Sequence, residues 1–75
     1  MLTKKQQLYK ALVAQFQADK EEALTAIQIF LDSPVGVAEH TTFVKDVKEQ
    51  VKKLSEAEES LQTLEKIVKS ALDVE

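Results

Sequence analysis

The amino-acid sequence predicts an all-α protein, in which two long amphipathic helices fold into an antiparallel hairpin. Apolar residues recur at intervals of three and four positions through both halves of the chain, as in helices with one apolar face. The only proline and the only glycine, Pro34 and Gly36, lie together near the middle of the 75 residues. Helices joined by a short loop of this kind pack as antiparallel neighbours. Residues 1–75 are therefore predicted to form a single helical-hairpin domain.

The first helix is predicted to span residues 4–31. Thr3 and Gln6 match a capping box, in which the threonine oxygen accepts a backbone N–H that the first turn leaves unpaired. The segment 19–22 also carries a pattern typical of a helix start. No glycine or proline lies near it, so one continuous helix is favoured. The apolar stripe of this helix consists of Leu8, Leu12, Phe16, Ala23, Ile27, Phe30 and Leu31.

The loop is predicted to cover residues 32–41. Its sequence is Asp32-Ser33-Pro34-Val35-Gly36-Val37-Ala38-Glu39-His40. Pro34 disfavours a helical conformation at the residue before it and cannot donate a backbone hydrogen bond. Gly36 can adopt a positive φ without a side-chain clash, so the first helix should stop before this point. Val35 and Val37 are apolar and are predicted to cover the end of the hairpin.

The single histidine, His40, follows Glu39 where the second helix is expected to begin. Its expected role is capping or loop packing, and a functional pair formed with Glu39 is the alternative. A metal site needs about three or four converging ligands. No cysteine, second histidine or dense acidic cluster lies at ligand spacing nearby. The sequence therefore predicts no metal and no cofactor.

The second helix is predicted to span residues 42–72, with His40, Thr41 or Thr42 as its N-cap. Its apolar seam is predicted to consist of Val44, Val47, Val51, Leu54, Ala57, Leu61, Leu64, Val68 and Ala71. Between Val51 and Leu61 the steps are 3, 3 and 4, which departs from a heptad. Such a departure would relax a left-handed supercoil at that point.

The composition argues against several kinds of functional site and binding partner. The chain has no cysteine, so disulfides, thiolate zinc sites and cysteine nucleophiles are excluded. Ten basic and thirteen acidic residues give a net charge of −3, which provides no overall attraction to nucleic acid or to an anionic membrane. The first residues lack the apolar run of a signal peptide, and no apolar stretch approaches the roughly 18 residues that span a bilayer. A cytoplasmic protein, or one packaged in a particle, is expected.

Self-association is predicted from the small size of the chain and from a surplus of apolar residues. A domain of this length has a marginal core unless a partner adds stability, and the apolar sets are wider than a two-stranded seam requires. We expect a dimer in the form of a four-helix bundle or coiled-coil-like assembly, or docking onto another protein. Tyr9, one position off the stripe, suits the border of an interface. The candidate interface residues are Tyr9, Val13, Phe16, Ile27, Phe30, Val51, Leu54, Leu61 and Val68.

Three functions are compatible with the sequence. The leading one is a non-enzymatic protein–protein interaction module, because a nucleophile would have only the lone histidine as an obvious base. The second is an acidic regulator that binds and inhibits an enzyme through Glu56, Glu58, Glu59 and Glu65. The third is nucleic-acid binding through lysines, although the chain has no arginine for bidentate phosphate or guanine contacts. The two lysine groups are Lys4, Lys5 and Lys10, and Lys45, Lys48, Lys52 and Lys53.

The turn at residues 32–40 and the later sequence Ala57-Glu58-Glu59-Ser60-Leu61 resemble a family of short uncharacterised proteins of large tailed bacteriophages, particularly those of cyanobacteria. Those proteins carry a Pro-Val-Gly-Ile-Gly-Glu-His-like turn between two helices. The resemblance covers about residues 23–68 and implies a viral source and a helical hairpin, with no assigned activity. With a viral source, the enzyme bound by an acidic regulator would be a host or phage enzyme. This chain departs from the family at Ala38, where a glycine is expected, and at Thr41, where a proline is expected.

Overall fold

The computed structural model describes residues 2–32 and 40–72 of the chain. These residues form two α-helices, α1 at Lys4–Asp32 and α2 at His40–Leu72, which pack along each other. The all-α hairpin predicted from the sequence is thereby confirmed. With 29 and 33 residues, the helices are about 44 and about 50 Å long. The molecule is thin, measuring 58 × 21 × 13 Å.

The start of α1 is fixed by the predicted capping box. The backbone N–H of Gln6 donates a hydrogen bond to Thr3 Oγ1 at 3.1 Å, and the backbone N–H of Thr3 donates to Gln6 Oε1 at 3.0 Å. The backbone N–H of Gln7 also donates to the Thr3 carbonyl oxygen at 2.9 Å. The two bonds between Thr3 and Gln6 satisfy donors that a helix start otherwise leaves unpaired, and the Gln7 bond is the first regular hydrogen bond of the helix. From there α1 continues without interruption through residues 19–22, as the sequence favoured.

The second helix begins at His40, two residues before its expected start. Thr41 and Thr42 therefore lie inside the helix and are not at its N-cap. Residues 33–39 lie outside the described ranges. The predictions made for the turn, which concern Pro34, Val35, Gly36, Val37 and Glu39, lie outside them too, as does the side chain of His40.

The two helices face each other through side chains that repeat at alternating steps of four and three residues. In α1 the inward positions are Tyr9, Val13, Phe16, Lys20, Ala23, Ile27 and Phe30. In α2 they are Phe43, Val47, Gln50, Leu54, Ala57, Leu61, Leu64 and Val68. All of them are buried or half-buried, and steps of four and three keep successive side chains on one side of a helix. We call these fifteen positions the seam.

Five residues that the sequence analysis assigned to the stripes lie outside the seam. Leu12 is half-buried, Leu8 and Leu31 are 62% and 67% exposed, and Val44 and Val51 are 51% and 48% exposed. Each is adjacent in sequence to a seam residue. Leu31 was predicted together with its neighbour Phe30; at the other four positions apolarity selected the outer member of the pair. In α2 the polar Gln50 holds the seam position because it preserves the alternating spacing. The predicted departure from the heptad near Val51 is therefore wrong.

The aromatic rings of Phe30 and Phe43 meet at the loop end of the seam. Their centroids are 6.0 Å apart and their planes are 84° from parallel, which is an edge-to-face contact. Such a pair contributes about 0.5–1.5 kcal/mol beyond the area it buries. Because these residues lie at the end of α1 and the start of α2, the contact also defines the antiparallel direction of the hairpin.

Few side chains of the seam are fully buried. Among the described residues only Ala23 and Ala57 are buried, at 2% and 4% exposure, and no large side chain is fully buried. An alanine contributes little apolar area, so the alanines bring the helices close together without supplying much hydrophobic stabilisation. The larger seam residues remain partly in contact with solvent.

The Gln50→Leu variant is expected to be more stable than the natural chain by about 1 kcal/mol, because a polar residue in an apolar seam reduces stability. Urea unfolding at one fixed protein concentration measures the change. The matched control is Gln62→Leu, at an exposed position of the same helix. Equal effects of the two variants would contradict the placement of Gln50 in the seam.

Candidate protein-interaction surface

The hairpin has two broad faces. A residue that immediately precedes a seam residue points to one face, and a residue that immediately follows a seam residue points to the other, because each step along a helix turns by about 100°. In an antiparallel pair, both helices contribute the preceding positions to the same face. We call this the groove face, and its aliphatic residues include Leu8, Leu12 and Ile67 and, toward the other end, Ile29. The opposite face carries Leu24, Leu31, Val44 and Val51.

A continuous groove runs along the groove face. It consists of three successive depressions, the first with a volume of about 390 Å³ over the seam residues Phe16, Ala23 and Ala57. The second depression shares Phe16 and Ser60 with the first. The third shares Leu64 and Ile67 with the second and reaches Lys5. From Lys5 to Ala23 the groove follows about 27 Å of α1, at about 1.5 Å per residue.

One end of the groove, which we call the apolar end, consists almost entirely of aliphatic and aromatic side chains. They are Leu8, Tyr9, Leu12, Leu64, Ile67 and Val68, with Lys5 at the edge. Leu8 is 62% exposed and Ile67 is 57% exposed. Exposed apolar groups in one contiguous patch commonly mark a site of protein contact.

The middle of the groove is bordered by charged side chains. Asp19 and Glu22 lie on the α1 side, and Lys53 and Glu56 lie on the α2 side. All four are exposed. The groove therefore changes along its length from an apolar end to a charged middle, with Asp19 and Lys53 on opposite borders.

The opposite face carries a second apolar patch, near the loop end. Leu31 and Val44 are 67% and 51% exposed, Val51 is 48% exposed, and Leu24 is half-buried. The two apolar patches thus lie on opposite faces and toward opposite ends of the hairpin.

Most of the predicted interface residues take part in the contact between α1 and α2. Tyr9, assigned to a border position, is a seam residue, and Val51 lies on the opposite face. The half-buried members of the predicted set are Tyr9, Val13, Phe16, Ile27, Phe30, Leu54, Leu61 and Val68. The apolar end adds Leu8, Leu12, Leu64 and Ile67, which the candidate set omitted. An aliphatic residue directly before a seam residue in both helices is the signal that identifies Leu8, Leu12 and Ile67.

The glutamates and lysines that the sequence analysis grouped together do not all lie together in the structure. The four exposed glutamates are divided between the faces: Glu56 and Glu59 border the groove, whereas Glu58 and Glu65 lie on the opposite face. Lys45, Lys48 and Lys52 border one shallow depression together with Glu49, whereas Lys53 belongs to the groove. Three of the four lysines in the second group therefore lie together, and the fourth, Lys53, lies apart from them.

Metal binding and membrane crossing can both be assessed for the described part of the chain. Residues 2–32 and 40–72 contain no group of three or more His, Cys, Asp or Glu side chains arranged to hold a metal ion. Within the same ranges, neither helix has a stretch that is both long and apolar enough to cross a membrane. Comparison of the chain with protein-family models, with curated proteins and with solved structures finds no match.

Proposed function

We propose that this protein is a non-enzymatic helical interaction module, which acts by covering an exposed apolar face of its hairpin with a second copy of itself. The assembly is a four-helix bundle with coiled-coil-like packing. Burial of the exposed aliphatic side chains then completes a core that a single hairpin lacks. Folding and association are coupled in such an assembly, since each copy supplies part of the other's core.

The observation that carries this proposal is the large accessible surface of the single chain, 6215 Å². A compact monomer of this size exposes about 4600 Å². The difference, about 1600 Å², exceeds the roughly 800 Å² that each partner contributes to a standard interface. The radius of gyration, 17.2 Å, likewise exceeds the value of about 11 Å that a compact domain of this length has.

The resemblance of residues 32–40 to proteins of tailed bacteriophages gives the proposal a biological setting. A small module of viral origin would act in the host cytoplasm or in the virion, as an accessory or structural component. Its outer helix surfaces remain available for other proteins after the apolar face is covered.

Dilution tests the proposal directly. We expect the mass from light scattering to correspond to a dimer at micromolar concentration, and the helicity from circular dichroism to fall as dilution dissociates the dimer. Mass action requires this coupling when the separate hairpin is unstable. A monomer that keeps its full helicity at nanomolar concentration would refute the proposed function.

A further inference from the structure

We propose that the second copy docks on the groove face, with the two hairpins face to face and their loops at the same end. This inference rests on the proposed self-association and adds the face, the direction and the contacts of the assembly. The two-fold axis runs parallel to the helices, between the two groove faces. Such an axis places α1 of each copy over α2 of the other and makes the interface self-complementary.

The apolar end determines the direction of docking. Leu8 and Ile67 border the same depression, so they lie at the same level on neighbouring helices. Rotation about an axis parallel to the helices keeps this level and places Leu8 of one copy against Ile67 of the second copy. Both apolar ends are then covered at once, each by the other, and their aliphatic side chains leave water.

The charged middle of the groove is covered in the same arrangement. If Leu8 lies level with Ile67, the antiparallel spacing places Glu22 level with Lys53 and Asp19 level with Glu56, and all four border one depression. The rotation brings Glu22 of each copy toward Lys53 of the second copy, which makes two symmetric contacts between opposite charges, and it also brings Asp19 toward Glu56. Opposite charges at a contact help to fix its register, whereas like charges oppose the contact. The direction of docking therefore depends on the apolar end.

Single-cysteine variants test the arrangement cleanly, because the natural chain has no cysteine. Leu8→Cys and Ile67→Cys chains are prepared separately, unfolded together in equal amounts, refolded and treated with a bis-maleimide that spans about 8 Å, close to the distance between packed helices. Neither variant can react within one chain. The matched control is a mixture of Leu31→Cys and Val44→Cys chains, which lie at a common level on the opposite face.

We expect cross-linked dimers containing up to about half of the chains in the Leu8→Cys and Ile67→Cys mixture, because random mixing pairs unlike chains half of the time. Neither variant alone, nor the control mixture, should cross-link. The mass of every sample, measured by light scattering, tests self-association separately from the docking arrangement. A dimer that cross-links through the control pair, through one variant alone, or not at all overturns the docking arrangement and leaves self-association intact. A monomeric mass in all samples refutes self-association itself.

Discussion

Replacing both Leu8 and Ile67 with glutamate is expected to weaken self-association at least about a hundredfold, which corresponds to about 2.7 kcal/mol. Both side chains are more than half exposed in the hairpin, so the substitutions leave its seam intact. In the proposed dimer the same positions are covered, and a carboxylate there would lose its hydration without gaining a partner. The dissociation constant, measured by sedimentation equilibrium, reports the change.

The control for this variant carries glutamate at Leu31 and Val44. These residues have similar exposure but lie on the opposite face, so their substitution is expected to change the dissociation constant by less than about threefold, within the small effect of most surface changes. Equal weakening by the two double variants would show that the effect comes from net charge, since each adds two negative charges to a chain that already carries −3. That result would contradict the assignment of the groove face.

Replacing Ala23 with leucine is expected to destabilise the protein by about 1–3 kcal/mol, the usual cost of forcing extra methylene groups into a closely packed position. Ala23 is one of the two buried residues among those described, and it lies where the helices approach each other. A larger side chain must push α1 and α2 apart, which also separates the neighbouring seam residues. Urea unfolding at fixed protein concentration measures the loss.

The control is Ala18→Leu, the same substitution at an exposed position of the same helix. Alanine and leucine have similar helix propensities, so this variant should differ from the natural chain by less than about 0.5 kcal/mol. If Ala23→Leu were as stable as Ala18→Leu, the centre of the seam would have room for a larger side chain. The close approach of the helices at Ala23 would then be refuted.

The architecture could be predicted from the sequence because its determinants are local. Pro34 and Gly36 mark the only break, and the reciprocal pairing of Thr3 and Gln6 marks the start of α1 within one turn. Helix formation on either side then follows from residue type and spacing. Such signals do not depend on which other part of the chain a helix contacts.

The assignment of seam residues was harder, because it depends on the contact between the helices. Val51 is more apolar than Gln50, and Leu8 is more apolar than Tyr9, so hydrophobicity favoured the outer member of each pair. The structure instead keeps the regular spacing that lets two helices stay in contact over their whole length. The polar residue Gln50 occupies a seam position because the regular spacing requires it.

The groove could be anticipated only in part. The surplus of apolar residues beyond one seam is evident in the sequence, and it predicted an exposed apolar face. Which residues share that face depends on the seam, so a shift of one position moves a side chain from one face to the other. Correcting Leu8 to an outer position is what brings it beside Ile67 on the groove face.

The position of the edge-to-face contact between Phe30 and Phe43 has a consequence for the order of folding. These rings lie close together along the chain, on either side of the loop, whereas Leu8 and Ile67 lie near its opposite ends. Contacts that close short loops cost less entropy and form earlier. The hairpin is therefore expected to close from the aromatic pair outward, and the surface proposed to recognise a second copy is then the last part to be assembled. A chain whose folding stops early would not present this surface, so the proposed recognition would select fully closed hairpins.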